Sequence, residues 1–242
     1  MRVVVFASQK GGSGKSTLAG HLAVQAQRAG CGPVAIIDTA PLGTLAAWHG
    51  VRKADAPTFV STTPAHLAAE LANLRRLGTR LVVIDTPPTA TATIRDAVGH
   101  ADLVIIPARP SPHDLRAVGA TLDIVEGLGK PFMFILNGAT PFARITLDAA
   151  MALAQNGTLP PVTIYHRVDY ASSMIDGRTV MECDPESRSA WEIAELWDCV
   201  FAQLGALPRA QGDLEAQGGD DPSLATVSGN VIGFGRRLGQ SG

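Results

Sequence analysis

The sequence predicts an α/β fold in which a doubly wound, mostly parallel sheet carries helices on both faces. Six short apolar runs recur along the chain: VVVFA at 3–7, VAIID at 34–38, LVVID at 81–85, LVIIPA at 103–108, FMFILN at 132–137 and VTIY at 162–165. They are β-branched and nearly continuous, as strands buried on both faces require. Between them lie amphipathic stretches with helical spacing at 16–29, 64–77, 113–127, 144–155 and 187–204, several ending at Gly. Runs and stretches alternate as β-α units, which places ligand chemistry at the carboxyl ends of the strands.

The bulk composition agrees and excludes some function classes. A chain of 242 residues with 46% hydrophobic content supports one sizeable core. A net charge of −2 provides no global attraction to nucleic acid or anionic lipid, so any such binding needs a local patch. Cys31, Cys183 and Cys199 lack the spacing of a disulfide framework or a zinc site. No apolar run is long enough to span a bilayer, and MRVVVFASQ turns polar too early for a signal peptide, so a cytoplasmic protein is expected. Residues 1–207 form the expected domain. From Pro208 to Gly242 the composition shifts to Gly, Gln, Asp and Ser, which predicts a tail too polar to order itself.

The most informative stretch is FASQKGGSGKST at 6–17, directly after the first apolar run. Glycines at 11, 12 and 14 let successive backbone N–H groups turn inward around phosphate oxygens, and the following helix offers its positive end. Gly11, Gly12, Ser13 and Gly14 form the expected cradle. Lys15 is placed to reach the β- and γ-phosphates, the Ser16 hydroxyl to bind Mg²⁺, and Thr17 to reach the α-phosphate. Gln9 stands where such loops usually have their first glycine, and Lys10 is an additional cation.

K-G-G-S-G-K-S resembles the deviant Walker motif of the ParA/MinD family of P-loop ATPases, and the resemblance extends from residue 1 to about 205. It implies ATP and Mg²⁺ as ligands and a homodimer closed around two nucleotides. In that arrangement Lys10 crosses to the partner's ATP and adds charge as an arginine finger does. VVIDTPP at 82–88 resembles the family's Walker B region, with Asp85 in the Mg²⁺ shell. ILNGA at 135–139 implies Asn137 at the adenine. Where the family reads D-x-D-P-Q, this chain has Asp38-Thr39-Ala40-Pro41-Leu42. Asp38 is retained for the Mg²⁺ shell. Ala40 replaces the carboxylate that handles the attacking water, so hydrolysis is expected to be slow by roughly 10² to 10⁴ fold while nucleotide binding survives. A divergent member and a deliberately trapped one both fit this sequence.

The resemblance also implies partners: non-specific DNA on the nucleoid, and a ParB-like or cargo adaptor that stimulates turnover. Arg167, Arg178 and Arg188, clustered in 165–197, are the expected DNA-binding residues, with Arg144 a more distant fourth. The cargo is a plasmid, a chromosome or a protein assembly. Two rival readings are a MinD-like membrane-associated regulator and a non-hydrolysing, nucleotide-clamped scaffold. The glycine-rich tail argues against the first, because membrane docking needs an amphipathic helix.

Overall fold

A computed structural model describes residues 1–39, 43–89 and 91–207. Position 40, at which the sequence departs from the D-x-D pattern, and the expected tail 208–242 lie outside the described residues. Among the described residues seven strands run in chain order: β1 (Arg2–Phe6), β2 (Val34–Asp38), β3 (Thr58–Ser61), β4 (Leu81–Asp85), β5 (Leu103–Ala108), β6 (Phe132–Ala139) and β7 (Thr163–Tyr165). They form one sheet in the order β3-β2-β4-β1-β5-β6-β7, and every pairing is parallel.

Among the described residues nine α-helices connect and flank the strands: α1 (Lys15–Arg28), α2 (Thr44–Val51), α3 (Pro64–Arg76), α4 (Thr91–Gly99), α5 (Pro112–Gly127), α6 (Arg144–Ala154), α7 (Val168–Ser173), α8 (Val180–Cys183) and α9 (Arg188–Ala206). Strand alternation sorts the core into two layers. Val4, Phe6, Ile36, Val83, Ile105 and Ile135 pack with α1, α2, α8 and α9. Val5, Ile37, Ile84, Val104, Phe134 and Leu136 face α3 to α6 on the other side. The central strands β1, β2, β4 and β5 are buried almost without exception, which is why they read as continuous apolar runs.

All six expected strands and all five expected helices lie within two residues of their predicted bounds. The sequence reading passes over β3, α2, α4, α7 and α8. β3 is an edge strand of four residues with an exposed–intermediate–intermediate–exposed pattern, so it lacks the apolar run that marks its neighbours.

Candidate functional site

Strand β1 ends at Phe6, and the chain turns through residues 7–14 into α1. Gly12 and Gly14 adopt φ of 74° and 98°, a region L side chains avoid. Gly14 is constrained twice, because a Cβ there would also collide with the Asn137 carboxamide. Asn137 Nδ2 donates to the Ser13 carbonyl oxygen at 2.7 Å, so β6 pins the loop from the side. Gln9 is not in the left-handed region, so a glycine is not required there. Its N–H donates to Thr121 Oγ1 at 3.1 Å, and its Nε2 donates to Thr91 Oγ1 at 3.3 Å. The replaced glycine thus ties the loop to α4 and α5.

The first turn of α1 contains no acidic residue, which leaves its N-terminal N–H groups and dipole suited to an anion. Gly11 and Gly12 are exposed, while Ser13 and Lys15 are buried. Lys15 Nζ donates to the carbonyl oxygen of Lys10 at 3.2 Å. Burial lowers the Lys15 pKa, and the nearby Asp85 carboxylate opposes that shift. Ser16 Oγ donates to Asp85 Oδ2 at 2.5 Å.

Register explains how the two aspartates arrive together. Asp38 and Asp85 are Cα partners on β2 and β4, and Asp85 is also the partner of Phe6 on β1. Both carboxylates therefore stand on the rung where β1 becomes the loop. The ends are locked by Thr39 Oγ1 donating to the Asp85 carbonyl oxygen and Thr86 Oγ1 donating to the Phe6 carbonyl oxygen, each at 2.8 Å. Asp85 is 1% exposed, and its Oδ1 is buried without a hydrogen-bond partner. Burial pushes its carboxyl up to about 7; the Ser16 hydroxyl and Lys15 pull it down, while Asp38 adds to the rise.

These residues fit Mg²⁺. The donors are hard oxygens, and an unpartnered buried carboxylate oxygen beside a serine hydroxyl is what an oxygen-seeking divalent cation requires. Ser16, Asp85 and Asp38 would hold it, and it would supply charge neutralisation at bound phosphates. Among the described residues no cluster of three or more His, Cys, Asp or Glu forms a separate metal site.

Asp38 has a second duty that sequence reasoning missed. Its Oδ2 accepts from the N–H groups of Leu45 and Ala46 at 3.2 and 3.3 Å. It caps α2, whose own N-cap residue Gly43 has no side chain to offer. The carboxylate expected in the Mg²⁺ shell thereby also fixes the helix that follows positions 40–42.

The expected DNA-binding arginines do not form a group of free cations. Arg167 Nε and Nη2 both donate to Glu192 Oε1, at 2.8 and 2.6 Å. The buried Glu192 also accepts from the Tyr165 N–H and from Tyr170 Oη. Arg178 is paired with Asp176 at 2.8 Å. Arg188 is exposed at the start of α9 and has no ion-pair partner among the described residues. Spacing alone gives no sign of these pairings, because Glu192 lies 25 residues from Arg167.

The parallel sheet, the glycine turn into α1 and the paired aspartates at the strand ends define a P-loop nucleotide-binding protein. The sequence profile of the CobQ/CobB/MinD/ParA nucleotide binding domain matches residues 4–180, and the chain belongs to this family. It is 27% identical over 197 residues to the maintenance of carboxysome distribution protein A of Halothiobacillus neapolitanus, covering 77% of this chain and 90% of the relative. It is 30% identical over 126 residues to a protein ParA of Rhizobium radiobacter, covering 52% of this chain and 56% of that one. Among solved structures, the ATP complex of a substituted Cyanothece McdA matches with a TM-score of 0.69 at 20% identity, over 87% of this chain and 99% of the other. A chain of the MinC:MinD cell division protein complex of Aquifex aeolicus matches with a TM-score of 0.70 at 16% identity, over 87% of this chain and 99% of that one. At these identities the structural matches speak for the fold.

Proposed function

We propose that the chain is a positioning ATPase: two copies close around two Mg-ATP molecules, the dimer binds DNA without sequence preference, and an adaptor-bound cargo is distributed over the nucleoid. The observation that supports this most is the lysine pair. Lys15 is held on the Lys10 carbonyl within its own loop, whereas the Lys10 ammonium has no ion-pair partner among the described residues. A cation without a partner at the rim of a phosphate cradle suits a second subunit's triphosphate, where it adds stabilisation only on closure.

Each residue then has a task. Gly11 to Gly14 and the α1 N-terminus bind phosphate oxygens, Thr17 adds a hydroxyl, and Asn137 borders the base. Ser16, Asp38 and Asp85 hold Mg²⁺. Ala40 offers no carboxylate to orient water, so turnover is slow. Arg188, with Arg167 and Arg178 if their ion pairs open, contributes to DNA contact. The cargo reading follows the similarity over 90% of a carboxysome-distribution protein, which makes a protein assembly as suitable a cargo as a plasmid. A cytoplasmic, nucleoid-associated location follows, and no described helix is long and apolar enough to cross a membrane.

Sedimentation velocity and DNA binding with ADP, with ATP and without nucleotide test the proposal. The expected result is a monomer that becomes a DNA-binding dimer only with Mg-ATP. A protein that stays monomeric at saturating Mg-ATP would sink it. Ala40 also favours a second reading, a nucleotide-clamped scaffold that does not cycle. Turnover measured with DNA and adaptor present separates the two.

A further inference from the structure

On the face of the sheet opposite α1, a groove of about 540 Å³ separates the starts of α5 and α6. Pro112, Leu115, Ile145 and Ala149 give it an apolar floor, and Arg144 and Asp148 stand on its rim. None of its lining residues is one of those assigned to the nucleotide site. We propose that this groove docks an acidic, amphipathic segment of another protein.

Three features carry the inference. First, the apolar content is exposed: Ile145 retains 46% of its surface, and Phe142, on the loop just before α6, is fully exposed. Phe142 is also the only described non-glycine residue with positive φ, at 59°. Holding an aromatic side chain in solvent in that conformation costs about 1–2 kcal/mol, and apolar surface of this kind marks an interaction site.

Second, the charge around the groove is complementary to carboxylates. Arg144 is 93% exposed and reaches Asp148 only at 3.7 Å. Arg116, next to Leu115, and Arg109, two residues before Ser111, are exposed and have no ion-pair partner among the described residues. The Arg109 side chain lies along Gly138, which places it between the start of α5 and the loop leading to α6. The lining itself holds one cation, Arg144, and one carboxylate, Asp148, and the exposed Arg109 and Arg116 on either side of Ser111–Leu115 in the chain tip the surrounding charge to positive.

Third, two helix N-termini converge on the groove, and they are finished differently. Ser111 caps α5 and accepts from the Asp114 N–H. α6 begins after Ala143 with no side-chain cap and no acidic residue in its first turn. A carboxylate of the docked segment would meet the unsatisfied N–H groups of α6 and the Arg144 guanidinium together. Nucleic acid suits the groove less well, because the floor is apolar and Asp148 opposes phosphate. Partner recognition by an apolar groove with a charged rim is a common mode for amphipathic segments.

The test uses the full chain and a fluorescein-labelled 15-residue peptide with Leu and Ile at helical i, i+3, i+4, i+7 spacing and Glu or Asp elsewhere. A second peptide replaces every acid with Lys. Fluorescence anisotropy is expected to show the acidic peptide binding at least about tenfold more tightly, the factor that about 1.4 kcal/mol of charge contact supplies. The double variant Arg116→Glu/Arg144→Glu should reverse that preference, and Ile145→Ala should weaken the acidic peptide with the charge pattern intact. Labelled ATP should bind all variants as it binds the parent, and thermal melts should match, so a failure of the nucleotide reading is seen separately. Equal binding of the two peptides, or a preference that survives charge reversal, overturns the proposal. So does a short DNA duplex that binds the parent chain and loses affinity in the double variant while the acidic peptide does not.

Discussion

The Nζ of Lys15 lies 3.2 Å from the carbonyl oxygen of Lys10, so the second lysine of the loop is held by the backbone of the first. The two cations therefore have separable roles. Lys15 is buried beside the glycine turn with Asp85 close by, while the Lys10 side chain has no ion-pair partner among the described residues. Lys15→Ala is expected to lower ATP affinity by about 10 to 100 fold, the range set by losing a charge-assisted hydrogen bond of about 1.5–3 kcal/mol. Lys10→Ala should bind ATP within about threefold of the parent and yet fail to dimerise. Labelled-nucleotide titration and sedimentation velocity on the same samples check both. A Lys10→Ala protein that still pairs with Mg-ATP would remove the role given to that residue.

Restoring a carboxylate at position 40 tests the hydrolysis reading directly. Ala40→Asp should raise ATP turnover in the presence of DNA and adaptor by about 10² to 10⁴ fold, the usual contribution of a positioned acid or base. Nucleotide affinity should hardly change, because Ser16, Asp38 and Asp85 are untouched. If purified Ala40→Asp hydrolyses no faster than the parent, the residue at position 40 does not limit turnover.

Gly14 carries two independent constraints, a φ of 98° and the adjacent Asn137 carboxamide. Gly14→Ala should therefore both abolish tight ATP binding and destabilise the fold by about 1–3 kcal/mol, from dihedral strain and displacement of Asn137. Adding Asn137→Ala removes the collision but not the strain. The double variant should recover part of the stability in urea titration and little of the binding. Full recovery of both would mean that the left-handed turn is not needed for the cradle.

How far the sequence reveals this architecture depends on burial. β1, β2, β4 and β5 are covered on both sides, so their apolar runs show plainly, and α1 falls at Lys15–Arg28 against an expected 16–29. β3 is half-exposed and α4 is short, so neither carries a strong period. The glycine turn, Lys15 and Ser16 stand out in the sequence because phosphate chemistry restricts residue type and spacing, whereas Asp38 and Asp85 are singled out through the family resemblance and the parallel register then sets them side by side. Asn137 is picked out through the family resemblance, but its grip on the Ser13 carbonyl is not, since only the fold brings the end of β6 to the loop. The Arg167–Glu192 and Arg52–Glu182 pairs were likewise hidden, because only the folded chain sets them side by side.

Arg52 joins the helix that Asp38 caps to the segment before α9. Its side chain is 2% exposed; it donates to both Glu182 carboxylate oxygens at 2.9 and 2.6 Å and to the Gly177 carbonyl oxygen at 2.7 Å, and lies over the Trp48 ring. Removing one member of a pair this well covered leaves the other charge uncompensated, and Arg52→Ala is expected to cost about 3–5 kcal/mol. Arg52→Lys should rescue little, because an ammonium cannot satisfy two carboxylate oxygens and the carbonyl in the same plane. Urea unfolding of the two variants decides it, and near-parental stability of Arg52→Lys would show that charge alone matters at this position.

His21 gives the fold a pH dependence of its own. The ring is fully buried on α1, with Nδ1 at 2.8 Å from the Thr17 carbonyl oxygen and Nε2 at 3.4 Å from Ser173 Oγ. Nδ1 donates, since a carbonyl can only accept, which leaves Nε2 as the acceptor of a neutral ring. Burial lowers its pKa from 6.5 to about 4, against smaller opposing contributions from Thr17 and Glu182. The unfolded chain therefore takes up a proton near pH 6.5 that the folded chain refuses until about pH 4. The stability associated with this ring is complete above pH 6.5 and is lost progressively as pH falls towards 4. By pH 5 the loss should be about 2 kcal/mol, from about 1.4 kcal/mol per unit of pH below the unfolded value. His21→Gln keeps a donor for Thr17 and cannot titrate. Urea midpoints at pH 7.5 and pH 5 should fall further in the parent than in His21→Gln by that amount. Equal falls would mean that the ring is already protonated in the native state or plays no part in the acid sensitivity.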